Sequence, residues 1–273
     1  MSEKRQIVYF HGLPGTAEEL QLFIEAEHFE NMDIFVPGRR NTKDRQATDT
    51  YFQSLARQVD KHFPAGKIEI IGFSLGTFAA LQTVPHIERH IDRIDLIAIA
   101  APLHWGAYLD AMAGKAVFST AQKSAMGFRT MVAVQGLFSR LMPDWMFAQI
   151  FNSATGKDAD LAQTEDFRAV IADMISQSLN QNRSAYMAEI MRYVRDWQLA
   201  DVVRSIPVKL WHGEADNWTP LAMAHDMQSY LGAYAELETF AGLSHYSTLQ
   251  TALPQILTGA KASVDLERSS TKP

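Results

Sequence analysis

The chain has no cysteine. That removes disulfides, thiolate metal sites and cysteine nucleophiles from consideration, and it suits a reducing compartment. It also has no excess of positive charge: 25 Lys and Arg stand against 31 Asp and Glu, a net charge of -6. Nucleic acid is therefore an unfavourable partner, and the chain as a whole has no attraction to an anionic membrane. Long apolar runs are missing as well. The most apolar stretch, from about residue 130 to 151, is broken by Arg140, Pro143 and Asp144; a bilayer span needs about 20 unbroken apolar residues. Ahead of His11 the apolar run is short, below the 7–15 residues of about the usual leader core. No internal repeat and no low-complexity tract is present. These absences lead us to expect a soluble, cytoplasmic globular chain of 273 residues, long enough for one large domain or a core with an insertion.

What is present alternates. β-branched runs at residues 6–10, 33–36, 68–71 and 94–100 are separated by helical patterns. Thr16-Ala17-Glu18-Glu19 has capping-box spacing and predicts a helix start. Residues 48–62 place Phe52, Leu55, Ala56 and Val59 on one helical face, and residues 75–83 read as a further helix. Continuous apolar strands between helices imply a parallel sheet covered on both faces. From 103 to 205 only helical periodicity appears, rich in Met and aromatic residues. Strand grammar returns at 208–211 and 236–240, flanking a helix near 221–231. The expected organisation is an α/β core in two pieces, 1–102 and 206–273, carrying a helical cap at 103–205. The polar end, 265–273, reads as frayed. Such a cap lies over the strand ends where open α/β sheets bind ligands.

Four short motifs sit at predicted strand ends. Gly72-Phe73-Ser74-Leu75-Gly76 fits G-x-S-x-G between a strand and a helix. That turn strains the serine backbone, exposes its oxygen, and requires glycine where neighbouring chain passes closely. A serine hydroxyl needs a base, and the base an orienting acid. His245 follows the last predicted strand and Asp216 the one before it. Glu214 is a rival acid, two residues nearer the strand. His212 at the strand end and His11 in the first loop read as structural, and His225 in mid-helix as a surface residue. His11-Gly12-Leu13-Pro14-Gly15 follows the first strand. An oxyanion needs two N–H donors, and Leu13 and Leu75 are the candidates.

Together these motifs resemble the α/β-hydrolase fold superfamily, in its cap-bearing group of small serine esterases. HGLPG is similar to the group's HG-x-P-G oxyanion loop, and GFSLG to its nucleophile elbow. Residues 212–220, HGEADNWTP, resemble its acid loop, and GLSHYS its histidine loop. The resemblance implies Ser74 as nucleophile, His245 as general base, Asp216 as orienting acid, and Leu13 and Leu75 as backbone oxyanion donors. It implies a mostly parallel central sheet flanked by helices, with a helical cap. Two departures stand out. The family's N-terminal antiparallel hairpin is reduced or absent, and Pro37-Gly38-Arg39-Arg40 replaces the usual sequence after the second strand. A serine nucleophile argues against the branches that use a carboxylate. The implied reaction is cleavage of a small to medium, fairly apolar carboxylic ester, with no metal and no cofactor. A C–C bond hydrolase, a thioesterase, an acyltransferase or a perhydrolase would use the same triad, and a small-molecule receptor with slow turnover or a degenerate interaction module would keep the fold. Trp105 and Trp218 are pocket candidates by position. Most of the cap's Met and aromatic residues are expected to form its own core. The basic loop Arg39, Arg40, Lys43 and Arg45 reads as solvated, with an acidic substrate as its alternative. Oligomeric state is open.

Overall fold

The computed structural model describes residues 4–24, 31–39 and 48–259. Arg40, Lys43, Arg45 and the polar segment 265–273 lie outside the described residues. Six strands form one sheet: β1 (Arg5–Phe10), β2 (Met32–Phe35), β3 (Lys67–Phe73), β4 (His90–Ile97), β5 (Val208–Gly213) and β6 (Ala235–Phe240). Their order is β2-β1-β3-β4-β5-β6, and every pairing is parallel. No antiparallel strand occurs among the described residues. A parallel order sends all strand C-termini to one edge, and the four motifs gather there.

Helices α1 (Thr48–His62), α2 (Leu75–Thr83), α9 (Leu221–Leu231) and α10 (His245–Thr258) flank the sheet. The face read from the sequence is the buried one: Phe52, Leu55, Ala56 and Val59 are all essentially inaccessible. Between β4 and β5 run α3 (Lys115–Lys123), α4 (Ala125–Leu141), α5 (Pro143–Phe151), the short α6 (Asp158–Leu161), α7 (Glu165–Leu179) and α8 (Arg183–Tyr193). Most of their buried side chains are apolar: Phe128, Val132, Phe147, Phe167, Met174 and Ile190 join the apolar core.

Two local expectations are corrected. The segment after Thr16 is a 3₁₀ helix, Ala17–Leu22, and Thr16 Oγ1 accepts the N–H of Glu18 at 3.3 Å. Glu19 does not reach back to the cap residue, because stronger donors hold it elsewhere, as described below. The fourth strand starts four residues before 94 and ends at Ile97. Ala98 takes φ 49°, which breaks the ladder. The N–H groups beyond it find side-chain acceptors: Ile99 donates to His212 Nδ1 (3.2 Å) and Ala100 to Thr77 Oγ1 (3.0 Å). Each is satisfied, so the strand can stop inside the core.

Candidate active site

Ser74 sits between β3 and α2 with φ 55° and ψ -128°. A non-glycine residue there is strained by about 1–3 kcal/mol and persists only where its surroundings over-determine it. They do. Its N–H donates to Ile97 O at 3.0 Å, and its carbonyl accepts from Thr77 N–H (2.9 Å) and Thr77 Oγ1 (2.7 Å). Gly76 is obligatory, since a Cβ there would stand 1.9 Å from Phe10 O. Gly72 is tight rather than blocked: its Cβ would meet Thr77 Cα at 3.0 Å. Leu75 opens α2 directly behind the serine, so the helix N-terminus backs the site.

His245 is the first residue of α10 and is almost wholly buried. Its Nδ1 lies 2.8 Å from Asp216 Oδ2. Asp216 also accepts from Trp218 N–H (2.8 Å), Thr219 N–H (2.9 Å) and Thr219 Oγ1 (3.0 Å). Burial alone would raise the pKa of this carboxyl. The charge and hydrogen bond of His245, with His212 and the Thr219 N–H, outweigh it and hold Asp216 below the usual carboxylate value. An ionised Asp216 can only accept. Nδ1 therefore carries the proton, and Nε2 is the basic nitrogen. His245 and Ser74 line one cavity.

The other ionisable candidates stand aside. Glu214 is exposed and accepts from Thr239 Oγ1 at 2.9 Å. His212 is completely buried. Its Nδ1 accepts from Ile99, so Nε2 donates to Thr219 O at 2.7 Å, and burial lowers its pKa against the pull of Asp216. It braces the acid loop as a neutral ring. His225 is exposed on α9. His11 is buried with Nδ1 2.8 Å from Gly12 O, which it meets as donor.

Glu19 shapes the first loop. It is completely buried, and its Oε1 accepts Gly12 N–H at 3.0 Å and Tyr9 O–H at 2.6 Å. Burial pushes this carboxyl up to about 7, against the lowering pull of the Tyr9 and Gly12 bonds, Arg39 and His245. Gly15 makes the arrangement fit, because a Cβ there would lie 2.7 Å from Gly12 O and 2.9 Å from Glu19 Oε2. With Gly12 N–H engaged, the following residue, Leu13, faces the cavity that holds Ser74.

The helical insertion forms the roof and grips two of the loops. Ile150, Phe151, Ile171 and Ile175 line the cavity opposite Gly12, Phe73 and Trp218. The Trp218 ring lies 5.8 Å from the His245 ring at 26°. Asp158 accepts from Tyr246 N–H (2.9 Å), Ser247 N–H (2.7 Å) and Ser247 Oγ (2.6 Å), beside His245. Thr155 Oγ1 donates to Ala215 O, next to Asp216, at 2.5 Å. Trp105, in contrast, stacks on Tyr230 at 4.8 Å and does not line the cavity. A short 3₁₀ turn, Leu103–Trp105, carries its ring toward α9, away from the serine.

The space beside Ser74 is closed down to about 10 Å³, room for one water-sized group. A larger cavity of about 230 Å³ lies on the other side of Leu13, bounded by Thr16, Pro37, Ser178, Asn182 and Tyr186. Arg39 lies on its wall and is not solvated. It is buried, with Nη2 at 2.6 Å from Glu189 Oε2 of α8 and Nη1 at 2.5 Å from His11 O. Tyr51 O–H also donates to Glu189.

Comparison with known proteins agrees with this architecture. The family described as serine aminopeptidase, S33 matches residues 42–250. The chain belongs to that family and is an α/β-hydrolase enzyme. No curated protein matches it. Among solved structures it is similar to a thermophilic esterase from Thermogutta terrifontis (TM-score 0.63, 14% identity, 93% of this chain and 87% of that one). An esterase from Exiguobacterium antarcticum gives TM-score 0.62 at 16% identity, covering 94% and 93%. A bromoperoxidase from Bacillus anthracis gives 0.61 at 12%, covering 94% and 92%. At such identities the likeness is one of fold. No helix among the described residues is long and apolar enough to cross a membrane.

Proposed function

We propose that the chain hydrolyses a carboxylic ester through an acyl-enzyme on Ser74. The observation that carries this reading is the buried 2.8 Å contact between His245 Nδ1 and Asp216 Oδ2, with the His245 ring and Ser74 on one cavity wall. His245 Nε2 takes the serine proton as Oγ attacks the carbonyl. The imidazolium that forms is held by Asp216, which stays ionised. The N–H groups of Leu13 and Leu75 receive the oxyanion. His245 then protonates the leaving alcohol, and water repeats the sequence to free the acid.

The walls argue for the substrate class. Ile150, Phe151, Ile171, Ile175 and Trp218 offer an apolar, narrow slot, which suits a short acyl chain. The larger cavity beyond Leu13 carries hydroxyl and amide groups from Ser178, Asn182, Tyr186 and Thr16, which suits a more polar alcohol portion. A free α-amine, as on a peptide substrate, would need an unpaired carboxylate. Glu189 is the acidic residue on either wall among the described residues, and Arg39 already pairs with it. An ester is the better fit.

The test is a p-nitrophenyl ester series of increasing acyl length, on wild type and Ser74→Ala. The reading expects short chains to be preferred and kcat to fall by as much as about 10⁶ in the variant. Equal rates in the two proteins would remove Ser74 from the mechanism.

A further inference from the structure

Nothing among the described residues covers the outer face of the insertion. Among the described residues, six of the eight exposed large apolar side chains fall between Met126 and Trp145: Met126 (77% exposed), Val134, Leu137, Leu141 (70%), Met142 and Trp145. Their spacing is regular. At about 100° per residue, Met126, Thr130, Ala133, Val134, Leu137 and Leu141 share an arc of roughly 100° on α4. The buried residues Phe128, Val132 and Ser139 occupy the opposite side. The helix is therefore apolar on two faces, and only one is covered by the described residues. Met142 and Trp145 extend the ridge onto α5, with Trp145 packed on Phe138 at 5.0 Å.

Charge separates in the same place. From residue 116 to 142 there are three cations, Lys123, Arg129 and Arg140, and no Asp or Glu, in a chain whose net charge is -6. Lys115, just before, pairs with Asp110 at 2.7 Å and adds nothing to the balance. Arg129 and Arg140 fall on the same flank of the ridge, about three turns apart, and both are exposed. Asp144 is the one acidic residue at its end. The overall negative charge, which disfavours an anionic surface for the molecule as a whole, conceals this basic segment.

We propose that the α4–α5 ridge docks on an anionic lipid surface. An apolar stripe rimmed by Arg and Lys, ending in a tryptophan, is the pattern that lies in the headgroup plane: apolar side chains enter the acyl boundary and the cations meet lipid phosphates. A second copy of the chain suits it less well. A two-fold contact sets a patch against itself, which would bring Arg129 and Arg140 against the same positive patch. The geometry also links the surface to the interior. Trp145 points outward from α5, and one to two turns later Ile150 and Phe151 line the cavity beside Ser74. The docking itself does not depend on the ester reading.

The experiment is flotation of the full chain with vesicles of phosphatidylcholine containing about a third phosphatidylglycerol, and with phosphatidylcholine alone. The docking predicts binding at least about ten-fold tighter to the anionic vesicles, weakened by salt. The double variant Leu137→Glu, Leu141→Glu should lose it while keeping the wild-type thermal transition, and Arg129→Gln with Arg140→Gln should lose the preference for phosphatidylglycerol. Failure of the wild type to float with anionic vesicles overturns the proposal. So does full binding by the Leu137→Glu, Leu141→Glu variant. A wild-type dimer in sedimentation that this variant dissociates, without vesicle binding, would assign the ridge to a second copy instead.

Discussion

Asp158 and Ser247 are joined twice: one carboxylate oxygen accepts both the N–H (2.7 Å) and the Oγ–H (2.6 Å) of Ser247. Asp158 belongs to the insertion, and Ser247 is two residues from His245 on α10. The insertion is thus part of what holds the histidine, besides being a roof. Removing the carboxylate leaves buried N–H groups of Tyr246 and Ser247 unpaired, at about 1–3 kcal/mol each. Asp158→Ala should lower stability in urea unfolding by about 2–6 kcal/mol for the two together. It should also lower kcat by roughly 100-fold with little change in KM, since a small displacement of the base affects the reacting geometry. An unchanged kcat at reduced stability would leave Asp158 a purely structural role.

Glu19 makes stability depend on pH. Its folded-state pKa, raised to about 7 from 4.5, means that the folded chain binds the proton more tightly than the unfolded one. Its contribution is therefore fully favourable below about 4.5 and is lost as pH rises toward about 7. Glu19→Gln removes the ionisation and keeps an acceptor for Gly12 and Tyr9. Thermal unfolding should show wild type losing stability between pH 5 and pH 8, and the variant losing clearly less. Parallel curves would mean that Glu19 is ionised throughout.

Asp216 and Glu214 separate by substitution. Asp216→Asn should cut kcat about 10⁴-fold, because the amide favours the wrong imidazole tautomer. Glu214→Gln should stay near wild type, since its carboxylate is exposed and bonded to Thr239. Steady-state rates on one p-nitrophenyl ester decide between them.

Arg39 and Glu189 form a buried pair between the end of β2 and α8. Arg39→Ala strands a charged carboxylate and should cost about 3–5 kcal/mol. Arg39→Met with Glu189→Leu should recover much of that loss. Urea midpoints of the two variants measure the difference.

Much of this was legible in the sequence because the motifs lie at strand ends, where local grammar and chemistry coincide. Ser74, Asp216 and His245 each follow a strand that the sequence predicts, and a parallel sheet delivers all three to one edge. Thr219 had a signal too: a Thr three residues after an Asp is a turn that binds the carboxylate locally. Other features depend on pairings between distant segments. The Thr16–Glu19 spacing reads as a capping box, yet Tyr9 and Gly12 are better donors once β1 is in place, so Glu19 turns inward. Arg39 reads as a solvated cation until α8 brings Glu189 to it. Asp158 and Thr155 lie in a helical stretch whose periodicity says nothing of the loops they grip. Trp105 follows a strand end, as a pocket residue would, but the turn at 103–105 carries it onto Tyr230. The strand expected at 94–100 runs over 90–97 for a similar reason: Ala98 to Ala100 are as apolar as a strand, and only the acceptors on Thr77 and His212 reveal that the ladder has ended.

The central claim is that Ser74 is an activated nucleophile. Native protein treated with a fluorophosphonate and mapped by peptide mass spectrometry tests it most directly. The account predicts one adduct, on the peptide carrying Ser74, absent in Ser74→Ala and strongly slowed in His245→Ala. An unlabelled native protein, or an adduct that persists in Ser74→Ala, would contradict it.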